Sequence, residues 1–297
     1  MKVVVAFSGG KDSLASLLWT IQEFGLSKIE AVFCDTGWEH ELTYKHVAEI
    51  VELTGVKLTT VKSSKYDGFV DLAKKKGRFP SAKARFCTEE LKTKPMIDFI
   101  LSQSENLLIV QGIRKDESNA RSKMMETCRF FKYYFEPYGI DKNGKKKFFT
   151  YRKKEIIEWC KNYTDDILRP AFNWTAQETI DFILSKGFNP NPLYYMGFSR
   201  VGCFPCIMCR LGEVKQMVSE TPDYVERLQK AEDEVGRTFF SPDDIPARFR
   251  TSTDPKSGKK ITTVSDVVKY VATDPNQSEL KEEGKDSRCM SFYGLCE

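Results

Sequence analysis

The residue types best suited to chemistry lie near the start of the chain, in VVVAFSGGKDSLASLL from Val3 to Leu18. A β-branched run, a Ser-Gly-Gly turn, and Leu14, Leu17 and Leu18 at helical spacing predict a strand, a tight turn and a helix N-terminus. Gly9 and Gly10 let a ligand approach the backbone, Ser8 and Ser13 offer hydroxyls, and the first helical turn aims N–H groups at the same point. Such a turn binds an anion. Lys11 adds a compact positive charge for phosphate oxygens, and Asp12 is placed to recruit Mg²⁺ to them. The commoner phosphate loop, GxxxxGK followed by Ser or Thr, is excluded because Val5 and Asp12 occupy the deciding positions.

Sulfur is the second resource. CFPCIMC sets Cys203, Cys206 and Cys209 at successive two-residue spacings, and the tail CMSFYGLC supplies Cys289 and Cys296. Four thiolates satisfy a tetrahedral Zn²⁺ or a 4Fe–4S cluster, and the spacing does not separate the two. The first choice of ligands is Cys203, Cys206, Cys289 and Cys296, because ligation explains why a polar tail ends in two cysteines. Cys209 is a further contender. Cys34, Cys128 and Cys160 fall in strand, aromatic and helical contexts and are expected to be small core residues. Only two histidines, His40 and His46, are present, which leaves little scope for imidazole catalysis.

The bounds agree with this chemistry. The chain has 297 residues, 41% hydrophobic and 30% charged, with a formal net charge of +4, which suits a soluble protein with an anionic substrate. Nine cysteines without an export signal argue for metal or thiol chemistry over disulfides, and no apolar run approaches the roughly 18 residues of a membrane span. A cytoplasmic protein with no membrane partner is expected. Monomer and homo-oligomer are both left open.

The elements that must position these residues alternate. After the first strand and helix, strands are expected at 29–35, 56–63 and 107–112, with helices at about 43–53, 67–76 and 89–102. This alternation predicts an α/β fold with a doubly wound parallel sheet, whose ligands sit beyond the carboxyl ends of the strands. Asp35 and Thr36, and Gly112 and Arg114, fall at two such ends, where a nucleotide's ribose and base would lie. Helices follow at about 153–162, 174–187, 211–219, 223–235 and 264–271, with Thr175 as an N-cap and Gly187 just past a C-terminus. An apolar stretch, ILRPAF, occupies 167–172. The expected division is a nucleotide-binding domain over 1–200 and a helical, cysteine-bearing region over 201–297. The acidic linker 279–286 is expected to be disordered unless the terminal cysteines are tied down.

Residues 124–153 interrupt the pattern with an aromatic and basic insertion and a turn at Lys142, Asn143 and Gly144. Lys145, Lys146, Lys147, Arg152, Lys153 and Lys154, interleaved with Phe130, Phe131, Tyr133, Tyr134, Phe148 and Phe149, are what a nucleic-acid groove needs. The favoured expectation is plainer, a hairpin with one aromatic face in the core and its lysines in water.

SGGKDS resembles the pyrophosphate loop of the N-type ATP pyrophosphatases, which hold the β- and γ-phosphates as a leaving group. With CDTGWEHELTY, RFCTEELKTKP, GIRKDESNAR, NWTAQETIDFI, NPLYYMG and RVGCFPC it resembles the phosphoadenosine phosphosulfate (PAPS) reductase superfamily, in family order over residues 3 to about 210. That resemblance implies an adenine nucleotide contacted by Ser8 to Ser13, Asp35, Thr36, Gly112, Arg114 and Arg121, with Glu117 and Ser118 as weaker candidates. It implies catalytic roles for Lys11 and Asp12. It also makes Cys87 either a substitute cluster ligand or a reactive thiol beside basic Arg85 and Lys92.

The departures choose among reactions. Sulfonucleotide reductases replace the loop's lysine and aspartate and end in a Glu-Cys-Gly-Leu-His-like segment, whereas this chain keeps Lys11 and Asp12 and ends in SFYGLCE. The resemblance therefore implies ATP as substrate and adenylation ahead of sulfur transfer, as in the sulfurtransferases of DNA phosphorothioation and tRNA thiolation. A sulfur donor protein or a thioredoxin-like reductant would be the partner, and a nucleic acid a candidate substrate. The alternatives are a sulfonucleotide reductase releasing sulfite, and a nucleic-acid-binding module without turnover.

Overall fold

The computed structural model describes residues 1–254 and 257–273. It opens with β1 (Lys2–Ala6), α1 (Lys11–Phe24), β2 (Ile29–Cys34), α2 (Glu41–Thr54) and β3 (Lys57–Val61). Then come α3 (Phe69–Lys76), the short turns α4 (Phe86–Thr88) and a π-type turn (Glu89–Thr93), α5 (Lys94–Leu101) and β4 (Leu107–Gln111). The insertion contributes β5 (Thr127–Arg129), α6 (Lys132–Phe135), β6 (Gly139–Ile140) and β7 (Lys146–Lys147). The chain continues through α7 (Lys153–Asn162), β8 (Asp165–Leu168), α8 (Ala176–Ser185), α9 (Leu211–Glu220), α10 (Pro222–Val235) and α11 (Val264–Thr273). None of the described helices is long and apolar enough to cross a membrane.

The described residues divide into two compact units that are interleaved in sequence. The first comprises residues 1–35, 44–62 and 92–191; the second comprises 36–43, 63–91 and the residues from Pro192 on. The sequence reading instead draws one boundary after residue 200.

The first unit contains a six-stranded sheet in the order β3-β2-β1-β4-β8-β5. Five strands are parallel, and β5 runs antiparallel to β8 at the edge. The parallel sheet expected from the sequence is present, and the insertion adds one antiparallel strand at its edge. β1 is central, and Val3, Val4 and Val5 are fully buried. Successive side chains point to opposite faces. Val3 and Val5 pack with Leu14, Leu17, Ile50 and Ile183 on one side, and Val4 packs with Ile97, Ile100, Ile156 and Trp159 on the other. Each such side chain contributes about 1.5–3 kcal/mol when buried, so a continuous apolar run is what a strand covered on both faces requires.

Strand order reverses at the β1–β4 pair, because β2 and β3 extend from one side of β1 and β8 from the far side of β4. Ala6 pairs with Gln111 as the last rung. The loops leaving β1 and β4 therefore splay apart at the same end of neighbouring strands, the place where open α/β sheets hold their ligands.

Several expectations meet the structure closely. α7 covers the residues expected for it, and Thr175 caps α8 by accepting the Glu178 N–H at 3.1 Å, with the Glu178 carboxylate returning to the Thr175 N–H. The hairpin turn also forms, with Gly144 at φ +78°. The sequence shows only an apolar stretch at 167–172; the strand β8 begins at Asp165, two residues earlier. Asp165 is fully buried and accepts bonds from the Arg129 guanidinium at 2.7 and 2.9 Å and from the Phe131 N–H at 2.6 Å. A buried carboxylate with three donors is tolerated in a strand that hydropathy alone would shorten.

The second unit is built around Phe69, Leu72, Phe79, Leu91, Leu193, Phe198, Val214, Leu228, Val264 and Val267, supplied mainly by α3, α9, α10 and α11. Cys289 and Cys296, and the linker 279–286, lie outside the described residues.

Both histidines are buried. His40 in the second unit stacks on Tyr224 with ring centroids 4.0 Å apart, and its Nδ1 accepts the Leu42 N–H at 3.0 Å. Burial pushes His40 down to about 4, against the pull of Glu41 and with the help of Arg227, and burial pushes His46 in the first unit down to about 4. A base whose folded pKa is depressed stays neutral in the native state and charges first in the unfolded chain near pH 6.5. Each therefore stabilises the fold fully above pH 6.5 and loses that contribution as pH falls towards 4, on the order of 1 kcal/mol per pH unit. Urea unfolding at pH 7, 6 and 5 is expected to show this decline, with a shallower one in His46→Gln; an unchanged slope in the variant refutes the assignment.

Candidate functional site

In the first unit the polypeptide leaves β1 through buried Phe7 and turns at Gly9, whose φ of +76° belongs to the left-handed region that glycine adopts without strain. Gly10 enters α1 in extended conformation with no side-chain cap, so the first-turn N–H groups are not satisfied by a capping side chain. Ser13 ties the turn together. Its Oγ donates to the Gly10 carbonyl at 2.9 Å and accepts the Ser8 N–H at 3.2 Å, with the Ser8 Oγ 3.3 Å away.

Lys11 is almost fully buried and places Nζ 3.2 Å from Asp12 Oδ2. The other oxygen, Asp12 Oδ1, accepts from Arg114 Nε at 2.5 Å. Arg114 is itself buried, and its Nη1 pairs with Asp116. Burial alone would lower the Arg114 pKa, but Asp12, Asp116 and Glu117 outweigh it and hold the guanidinium above its ordinary value. The contact between the two loops is possible because residue 112 is glycine. A Cβ there would stand 2.5 Å from the backbone of Asp12 and Ser13.

Asp35, at the end of β2, accepts from Tyr44 Oη at 2.7 Å and pairs with Lys62 Nζ at 2.8 Å. Arg121 pairs with Glu117, whose other role is to accept the Arg114 N–H at 3.0 Å, and Ser118 Oγ accepts the Arg121 N–H at 3.2 Å. Glu117 and Ser118 thus brace the loop after β4. The sequence reading missed Asn191, fully buried in the proline-rich segment, which donates from Nδ2 to the Gly9 carbonyl at 3.2 Å. Its position in NPLYYMG, a segment matching the superfamily, is the signal that was available.

The second unit holds Thr36 and the cysteine loop. Thr36 Oγ1 donates to the buried Glu39 carboxylate at 2.7 Å, and the Thr36 and Trp38 N–H groups add bonds of 3.2 Å each. Cys203 Sγ lies 3.6 Å from Thr36 Oγ1 and 3.7 Å from Glu39 Oε1. Trp38 Nε1 donates to the Pro205 carbonyl at 2.9 Å, and the Arg227 guanidinium lies 4.0 Å from the Trp38 ring centroid. Glu39 is a second residue that sequence reasoning did not single out. Trp38 is a core anchor here, as its burial shows.

No disulfide joins any two of the seven described cysteines. Cys128 and Cys160 pack at the edge of the apolar cluster on one face of the sheet, and burial pushes the Cys160 thiol up to about 11, as a small core residue requires. Burial also raises Cys209, assisted by Glu213 and Cys206. Cys87 is half-buried on α4, where Arg85 turns to Thr88 Oγ1 at 3.5 Å. Among the described residues no group of three or more His, Cys, Asp or Glu side chains is gathered closely enough to hold a metal. Cys203 and Cys206 supply two of the four thiolates expected of a zinc or iron–sulfur site; the other two, Cys289 and Cys296, lie outside the described residues. Both Asp12 carboxylate oxygens meet cationic side chains, Oδ1 the Arg114 Nε and Oδ2 the Lys11 Nζ.

The phosphoadenosine phosphosulfate reductase domain matches residues 2–209. The chain belongs to that family. An uncharacterized protein of Methanocaldococcus jannaschii is 32% identical over 228 residues, covering 76% of this chain and 40% of its relative. An uncharacterized 37.8 kDa protein of Escherichia phage 186 is 28% identical, covering 99% of this chain and 96% of the phage protein. The chain thus spans less than half of the archaeal relative and nearly all of the phage one. The crystal structure of a PAPS reductase from Candida auris aligns with a TM-score of 0.46 and 14% identity over 69% of this chain and 83% of that one. The PAPS reductase domain ends at Cys209, so α9, α10 and α11 lie beyond it.

The Gly112 contact yields a direct test. Gly112→Ala is expected to lower stability by about 1–3 kcal/mol, because the nearest atoms are backbone and cannot swing aside. Chemical denaturation measures it; a loss below about 0.5 kcal/mol would contradict the packing described.

Proposed function

We propose that this member of the PAPS reductase family binds ATP with the β- and γ-phosphates at Ser8 to Ser13 and transfers the adenylyl group to an acceptor, releasing pyrophosphate. The observation that carries the reading is Lys11, a buried ammonium at the N-terminus of α1, held by an aspartate that Arg114 fixes in turn. A substrate lacking β- and γ-phosphates gives such a lysine nothing to hold.

An acceptor oxygen forms a bond to the α-phosphorus as the bond from that phosphorus to the bridging oxygen breaks. The bridging oxygen leaves with pyrophosphate, and the acceptor's proton passes to solvent. Lys11 and the first-turn N–H groups stabilise the charge that grows on the leaving group. Asp12 and Arg114 position Lys11, Asn191 and Ser13 hold the turn, and Asp35 and Thr36 are the candidates for ribose and base. In the sulfur-transfer form of this reading, the terminal sulfur of a donor protein's persulfide attacks the activated carbon, AMP leaves with the former acceptor oxygen, and a thiolate then attacks the donor's inner sulfur, so that the S–S bond breaks, the transferred sulfur stays on the product and a disulfide to the donor remains. Cys87 is the described thiol proposed for that handover.

The family's name supports a second reading, reduction of a sulfonucleotide to sulfite with a thioredoxin-like reductant. Retention of Lys11 and Asp12 favours the first.

Acceptor-dependent pyrophosphate release should fall by about 100-fold or more in Lys11→Ala while the fold is kept, in line with loss of one preorganised charge at the reacting centre. Equal release from the variant, or no affinity for ATP by calorimetry, refutes adenylation. Sulfite production from a sulfonucleotide with a thiol donor establishes the second reading instead.

A further inference from the structure

The insertion is a motif that the nucleotide chemistry leaves unused. Its hairpin pairs Gly139 with Lys147 and Ile140 with Lys146, and its aromatic residues split into two groups. Phe131 and Tyr134 are buried under the sheet's helices, as the core expectation requires. Tyr133, Tyr138 and Phe149 are not. They are 41%, 49% and 42% exposed and cluster at the surface, with Tyr138 and Phe149 centroids 4.9 Å apart, Tyr133 within 5.7 Å of Phe149, and Phe149 resting edge-on against buried Tyr134 at 5.9 Å.

Burying these rings would be favourable, so a cluster of three left in water marks a surface meant to be covered. The charge around it says by what. From Glu136 to Lys154 there are seven basic residues against two acidic ones. Lys142, Lys145, Lys146 and Lys147 are exposed, and none of the four forms an ion pair among the described residues. Asp141 is turned inward, accepting the Asn143 and Lys145 N–H groups, and Glu136 is paired with Lys132.

We infer that this hairpin is a docking surface for single-stranded nucleic acid, with bases stacking on Tyr138 and its neighbours and the lysines following the phosphates. Exposed ring faces interleaved with unpaired cations match a strand whose bases are free to unstack. A duplex offers phosphates but no ring faces, and an acidic protein offers charge without flat partners. The inference does not depend on adenylation, because strand binding and pyrophosphate release are read separately.

Fluorescence anisotropy of the full chain with labelled oligodeoxythymidine and oligouridine tests it, the two arms separating DNA from RNA. Affinity for one or both should exceed that for a duplex of equal length and fall with salt. Replacing Lys145, Lys146 and Lys147 by Gln should reduce the slope of log affinity against log salt by about 2, at roughly 0.7 per phosphate contact. Tyr138→Ala should weaken binding about tenfold, and Tyr138→Phe, which keeps the ring face, should not. Tighter binding to the duplex, equal affinity of Tyr138→Ala and wild type, or an unchanged salt slope in the lysine variant overturns the inference.

Discussion

The site depends on one close approach, the backbone of β4's end against the first turn of α1. Without a Cβ, residue 112 lies where any other side chain would meet the Asp12 carbonyl and the Ser13 nitrogen at 2.5 Å. That contact brings Arg114 to Asp12, and Asp12 in turn fixes the buried Lys11. The β1–β4 register sets up the approach by ending both strands on the same rung, Ala6 with Gln111. A packing constraint in the middle of the sheet thus becomes a charge arrangement at its edge.

Where local pattern decides structure, the sequence was legible. α7, α10 and the Thr175 cap follow from periodicity and capping chemistry that act within a few residues. The first unit's loop was legible for the same reason, since strand, glycine turn and helix are contiguous. What escaped notice depends on partners distant along the chain. Asn191 reaches Gly9 across 182 residues, and Asp165 is acceptable in a strand only because Arg129 and the Phe131 N–H arrive from the insertion. The interleaving of the two units has the same origin. Nothing in the composition of 36–43 assigns it to a C-terminal body, but Trp38 binds the Pro205 carbonyl and Arg227 covers its ring.

Within the second unit, Glu39 does for the cysteine loop what Asp12 does for the turn from Ser8 to Ser13. A carboxylate buried to this degree must be matched, and Thr36, the Trp38 N–H and the Cys203 thiol surround it. Its backbone bridges to Cys203, and the Phe204 N–H donates to the Trp38 carbonyl at 2.7 Å. The cysteine loop is therefore tied to Glu39 and Trp38, which gives Cys203 a fixed place. Cys203, expected from its spacing as a ligand, is also a neighbour of a buried acid.

Asp12 shows how the same residue type can be read two ways. In a loop beside phosphates a carboxylate suggests a divalent cation, yet here it sits in the first helical turn, where the helix dipole already favours negative charge. One oxygen meets a guanidinium with a fixed fork, the other a flexible ammonium at 3.2 Å. The two contacts differ in kind. Arg114 is buried and anchored on both Asp12 and Asp116, so it cannot move without leaving charges unmatched. Lys11 makes the longer contact through a rotatable donor, and an arriving polyphosphate would meet a cation that can turn to it while its aspartate stays satisfied by arginine. Arg114 then accounts for the presence of Asp12 in the loop: the carboxylate sets where Lys11 waits, and the guanidinium keeps the carboxylate in place when Lys11 turns.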